Sequence, residues 1–168
     1  MATPTNLPAT FVAGDILTAA QMNGLRGAFR VLQVVAGTPQ TAEVSNSTTT
    51  AADTGLTATI TPQSNTSKIL VLVNQAACIK SSGDTQNGIN LYLLRGASTI
   101  QTFAYVGLYT NTLVQNRGNF STVYLDSPAT TAATTYKTQF ANFTAAASVS
   151  VQAGNIAAST IILLEISA

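Results

Sequence analysis

Histidine is absent from the chain, cysteine occurs once, and charge is thin: seven Lys/Arg and six Asp/Glu among 168 residues. Without histidine there is no Ser-His or Cys-His base and no access to the commonest transition-metal ligand. One cysteine permits neither an internal disulfide nor a thiolate metal cluster. Cys78 lies in an apolar stretch and is expected to be a buried, inert thiol. The basic residues Arg26, Arg30, Lys68, Lys80, Arg95, Arg117 and Lys137 are scattered, and the net charge is +1. That is not the clustered basic surface a nucleic-acid partner requires. No apolar run approaches the roughly 18 residues of a membrane helix. The N-terminus also lacks the basic and apolar regions of a leader. No membrane partner is expected, and synthesis in a cytoplasm is.

What is present is Thr, Ser, Ala, Asn and Gln, with a mean hydropathy of +0.28. A free monomer usually keeps a charged, patch-free surface. So sparse a charge implies a surface buried between subunits. The alternative is a surface of hydroxyls and amides.

The chain changes character between Thr10 and Val35. Met1 to Thr10 holds Pro4 and Pro8 without periodicity and reads as an extended arm that orders only when gripped. Phe11, Val12, Ile16 and Leu17 give it apolar side chains that a solvated tail would not need. A helix is predicted from Thr18, an N-cap with Gln21 three residues on. Met22, Leu25, Phe29 and Leu32 follow a 3-4-3 spacing, the seam of a short coiled coil. Gly24 and Gly27 weaken it by about 1 kcal/mol each, so it must pack on something. The organisation expected is an attachment arm and short helix over 1–29 and a β-domain over 30–168. The anchor side chains are Phe11, Ile16, Leu17, Met22, Leu25 and Phe29.

From Phe29 the period shortens to that of strands. FRVLQVVAG is the first. A short one follows at Val44, and Leu56, Ala58 and Ile60 alternate with threonines up to Pro62. SKILVLVNQAACI (67–79) is the strongest, with the near-continuous apolar start of a strand covered on both faces. Further strands are expected around 89–94, 98–109, 120–125, 136–143, 149–151 and 159–167. Eight to ten short strands with regular turn signals mark an all-β, antiparallel sandwich or jelly roll. The last strand is expected to lie beside the first, so that the arm leaves from the same end as Ser167.

No motif for catalysis survives inspection. Asp15, Glu43, Asp53, Asp84, Asp126 and Glu165 are far apart in sequence and form no obvious carboxylate pair. No cofactor and no metal site is expected, and the chain reads as non-enzymatic. Asp53, Asp84 and Asp126 read as loop-capping residues. Glu165 alternates with buried positions and is expected to face solvent or to pair with a cation across an interface. The five tyrosines read mainly as core or interface packing, with a binding face as the alternative. The loops 46–54, 81–88, 110–118 and 128–135 are candidate contact surfaces. Within or beside them Asp53, Asp84, Tyr109 and Arg117 are the candidate receptor-contact residues.

TFVAGDILTAAQMNGLRGAF fits F-x-x-G-x-x-L-T-A-A-x-x-N through Phe11, Gly14, Leu17, Thr18, Ala19, Ala20 and Asn23. In this it resembles the opening of many bacteriophage tail-fibre and virion proteins. VLQVV, VSNSTTTAADTGLTATITPQSNTSKILVLVNQ, LLRGASTIQ and STIILLEIS resemble a β-domain frequent in marine and cyanobacterial phage structural proteins. The resemblance spans nearly the whole chain. It implies a homotrimer with a jelly-roll-like domain, similar in architecture to tumour-necrosis-factor-type trimers. It further implies a short tail or baseplate fibre, made in the host bacterial cytoplasm and carried in the virion. Its partners would be other virion proteins and a host surface glycan. A capsid decoration (cement) protein is the alternative, and a polysaccharide depolymerase domain a third.

Overall fold

A computed structural model describes residues 30–83, 85–145 and 148–167. The predicted helix and the anchor residues Phe11, Ile16, Leu17, Met22, Leu25 and Phe29 lie outside them, as does Asp84. The described residues form ten strands: β1 (Val31–Ala36), β2 (Val44–Asn46), β3 (Ala52–Ile60), β4 (Lys68–Lys80), β5 (Asn87–Arg95), β6 (Ser98–Thr110), β7 (Asn116–Asp126), β8 (Thr134–Asn142), β9 (Val149–Val151) and β10 (Thr160–Ile166).

All pairings are antiparallel, in two sheets. One carries β1-β10-β4 with β7 on the other side of β4; the second is β3-β8-β5-β6. β9 continues the line of β10 along the far end of β4, and β2 pairs β9 as β1 pairs β10. The long pairs are nested. β5 meets β6, β4 meets β7, β3 meets β8 and β1 meets β10. A long hairpin folded over itself in this way is the jelly roll. The last strand does lie between the first and the strongest, in register Val34↔Leu164↔Leu70.

Alternation decides which side chains enter the core. Ile69, Val71 and Val73 of β4 point inward with Ile161 and Leu163 of β10, onto Leu56, Ile60 and Tyr136 of the other sheet. A second apolar group collects Cys78, Ile89, Leu91, Phe140, Val149 and Val151. Cys78 is fully buried, and burial pushes its thiol up to about 12. A polar chain crosses the sandwich. Thr54 and Thr138 share a 2.6 Å hydrogen bond, the Thr138 hydroxyl donates to Gln75 Oε1 (3.0 Å), and Gln75 Nε2 donates to Ser159 Oγ (3.0 Å). All four residues are buried, so every bond offsets the cost of placing these groups in a core.

The two outer faces differ. On β3 and β8 the outward positions include Thr57, Thr59, Thr135, Lys137 and Gln139. On the other sheet two rows run straight across four strands: Val34-Leu164-Leu70-Leu125 and Ala36-Ile162-Leu72-Val123. The first face is polar, and these two rows of the second are aliphatic.

The two ends differ as well. Residues 47–51, 81–86, 111–115 and 143–148 join strands at one end, the loop end. Residues 61–67, Gly96-Ala97 and 127–133 join them at the other. Arg30 and Ser167 sit at that second, tied end. The Arg30 N–H donates to Ser167 Oγ (3.0 Å) and the Ser167 N–H to the Arg30 carbonyl (2.9 Å).

Candidate surface for contact at the loop end

β6 reaches the loop end through an irregular stretch. Val106 and Leu108 have φ of 52° and 58°, a left-handed backbone that a β-branched residue rarely takes. Between them Gly107 passes so near Phe120 that a Cβ would lie 2.5 Å from Cζ. The displaced Val106 N–H donates to Asn90 Oδ1 (2.8 Å) instead of to a ladder carbonyl. Side chains that solvent would normally disfavour stand outward here. Tyr105 is 74% exposed and Tyr109 47%, and Tyr105 meets Phe143 edge-on with centroids 6.1 Å apart. Leu113 and Val114 extend the exposed apolar surface in the neighbouring loop.

Lys80 holds that loop from below. It is fully buried, and its Nζ donates to the carbonyls of Thr112 (3.1 Å) and Val114 (3.3 Å). Asn116 Nδ2 donates to the Leu108 carbonyl (3.3 Å), which ties the start of β7 to the end of β6. Tyr109 and Arg117, the next residues on those strands, therefore share this end. Arg117 Nε donates to Gln115 Oε1 (2.8 Å).

Of the candidate contact residues, then, Tyr109 and Arg117 share the loop end. Asp53 does not join them. It lies within β3, at the opposite edge of the four-stranded sheet, rather than in a loop. Its carboxylate pairs with Lys137 Nζ (2.8 Å) and accepts from Gln139 Nε2 (2.8 Å). The Lys137 hydrogen bond is the main cause that holds it below the usual carboxylate range. Asp53 and Lys137 border an open depression of about 200 Å³. Tyr105, Phe143 and Leu113 were not singled out for contact from the sequence. The available signal was Tyr105 at the spacing of Tyr109 along one strand face.

The tied end holds the buried carboxylates Glu165 and Asp126. Glu165 is fully buried on β10, neither in solvent nor opposite a cation. Its carboxylate accepts from Gln33 Nε2 (2.6 Å) and from the N–H groups of Gln63 (2.7 Å) and Ser64 (3.4 Å). Burial raises its pKa, and these bonds outweigh burial to leave the group below the usual range. Close by, Arg95 Nη1 lies 2.9 Å from both oxygens of Asp126, and the Tyr136 hydroxyl donates to Asp126 Oδ2 (2.6 Å). Burial, then the bond to Asp126, pushes the Tyr136 phenol far up. An open depression of about 370 Å³ adjoins Arg95, Pro128 and Thr135. Among the described residues no three His, Cys, Asp or Glu side chains converge as metal ligands would.

No family model and no curated protein matches the chain. Among solved structures it is similar to the infectious bursal disease virus VP2 subviral particle, at 13% identity and a TM-score of 0.42, over 80% of this chain and 39% of that one. The structure of infectious bursal disease virus Gx strain is similar at 15% identity and a TM-score of 0.33, over 96% of this chain and 42% of that one. The chain thus spans about two fifths of the length of either structure.

Proposed function

We propose that the chain is a bacteriophage virion structural protein: a homotrimeric short tail or baseplate fibre, held to the particle by residues 1–29, with the loop end meeting the host surface. The opposition of the two ends carries this reading. Residues 1–29 precede Arg30 at the tied end, and the exposed aromatic side chains and three of the four candidate loops gather at the other. A fibre needs that polarity, an attachment at one end and a contact surface at the other. The N-terminal motif from Phe11 to Asn23 supports a phage origin. Tyrosines that combine stacking area with a polar tip suit a glycan. No reaction is assigned to the chain.

The test is to delete residues 1–17 and image the particles. A folded protein missing from tails is the expected result, and normal occupancy without the arm overturns the anchor. Density at capsid positions instead of the tail replaces the fibre with a decoration protein. Sugar release from the host polysaccharide by purified protein turns the reading toward a depolymerase.

A further inference from the structure

We propose that the outer face of the β3-β8-β5-β6 sheet binds a short oligosaccharide of neutral sugars, laid across the strands from Tyr92 to Asp53. The proposal rests on the host-contact reading for the source of such a ligand, and it names the site and the ligand class.

One row of side chains crosses the four strands in register: Thr102 on β6, Tyr92 on β5, Gln139 on β8 and Asp53 on β3. Leu91 and Leu93, Thr138 and Phe140, and Thr54 are buried beside them, so Tyr92, Gln139 and Asp53 stand on the outer face. The pairing is irregular next to the row. Between the pairs Asp53↔Gln139 and Thr57↔Lys137, the residues Thr54, Gly55 and Leu56 of β3 face Thr138 alone on β8. Gly55 takes the left-handed backbone this needs, with φ of 83°. A bulge bends its strand and re-aims side chains. Here it borders the open depression of about 200 Å³ lined by Asp53, Gly55, Thr57 and Lys137.

The groups around the depression suit sugar hydroxyls, each of which both donates and accepts. Lys137 Nζ and Gln139 Nε2 hold the Asp53 carboxylate at 2.8 Å each, and the Lys137 bond keeps it ionised. The Asp53 side chain is still 56% exposed and that of Lys137 28%. A carboxylate offers about four acceptor positions and an ammonium three donors, so both have capacity left for a ligand. Tyr92 lies two strands from Asp53, about 10 Å away, which is the reach of a short oligosaccharide. Its half-buried ring offers stacking area for the apolar face of a sugar. These groups are fixed by the sheet and by one another before a ligand arrives, which lowers the cost of binding. Charge selects among ligands. A polyanion would gain Lys137 and meet Asp53, and a peptide adding itself as a strand needs a sheet edge rather than a face. The row lies toward the loop end, since Asp53 is the second residue of β3 after the loop 47–51.

Nuclear magnetic resonance titration of the isotope-labelled full chain tests this. The probes are neutral trisaccharides of glucose, mannose, galactose and N-acetylglucosamine, with sialyllactose as the acidic one. At least one neutral trisaccharide is expected to shift the amides of Gly55 and Thr57 and the side-chain amide of Gln139. Tyr92→Ala and Asp53→Ala should each weaken that binding by about tenfold or more, the scale of a lost stacking ring or charge-assisted hydrogen bond. Ser121→Ala, on the other sheet, should leave it unchanged. Where an alanine variant fails to fold, Tyr92→Leu and Asp53→Asn give the same readout. Neutral-sugar binding that survives both substitutions overturns the site and leaves the fibre reading standing. No shift from any neutral sugar, or shifts from sialyllactose alone, overturns the site as well. The expected shifts and losses in a chain that particle images place on the capsid would keep the site and discard the fibre.

Discussion

The two ends of the sandwich place different kinds of side chain in and out of water. At the tied end, charged and polar groups are buried and satisfied: Glu165 by Gln33 and two backbone N–H groups, Asp126 by Arg95 and Tyr136. At the loop end, large apolar groups stand in solvent: Tyr105, Tyr109, Leu113 and Phe143. The tied end buries its carboxylates, and the loop end leaves these aromatic and aliphatic side chains in water. The lesson is that stability and contact have been separated along the long axis. Substitutions should therefore report on one or the other according to where they fall.

The largest effect is expected at the tied end. Glu165→Leu removes the acceptor of three donors and leaves them unpaired in a half-buried site. It should cost about 3 kcal/mol or more in urea unfolding, since breaking a buried polar network leaves its partners unpaired. Tyr136→Phe removes a single charge-assisted bond to Asp126 and should cost about 2 kcal/mol on the same scale. A loss under a few tenths of a kcal/mol from either would erase the distinction between the ends.

The pH dependence should sharpen it. Glu165 sits below its unfolded value when folded. Its contribution is therefore fully present above the unfolded carboxyl range and is lost as pH falls through the lower folded pKa. Melting temperature should drop as pH is lowered below about 4.5, and Glu165→Gln should flatten that drop. An unchanged slope in the variant would assign the acid sensitivity elsewhere.

Smaller effects belong to the loop end. Lys80→Met removes the donor to the Thr112 and Val114 carbonyls. Amide exchange should quicken in residues 111–115 with little change in the exchange of β5; equal acceleration in both would mean that Lys80 supports the whole fold. Tyr109→Ala and Arg117→Ala should move stability by no more than about 0.5 kcal/mol, as exposed substitutions do. Under the fibre reading they should lower binding to host cells several-fold. Unaltered binding would remove Tyr109 and Arg117 from the contact surface.

Alternation in the sequence located the strands, because Leu56, Ala58 and Ile60 against intervening threonines can bury only one face. The apolar run of 159–167 was enough to place β10 beside β1. Cys78 could be read as buried from its neighbours alone. Glu165 could not. Its partners Gln33, Gln63 and Ser64 lie about a hundred residues or more away, and nothing local distinguishes a satisfied carboxylate from a solvated one. Thr54 and Thr138 carry no local mark of burial either, yet these two bond each other inside the core. Asp53 was placed in a loop because Asp-Thr-Gly is turn chemistry, whereas pairing with β8 draws it into a strand. The loop-end patch depends on the bulged path of β6 around Gly107, and sequence periodicity is blind to such a path.

The nesting of the strand pairs sets an order in time. β5 and β6 are joined by a short turn and can zip first, followed by β4 with β7 and β3 with β8, while β1 waits for β10 some 130 residues further along. On a ribosome, β1 thus emerges first of the described strands and is the last of them to find its partner, with an open edge throughout. Pulse-labelled amide exchange should find β5 and β6 protected before β1 and β10; simultaneous protection would argue for a single concerted closure. Because the aliphatic rows include Val34 and Leu164, they are complete only after that final closure.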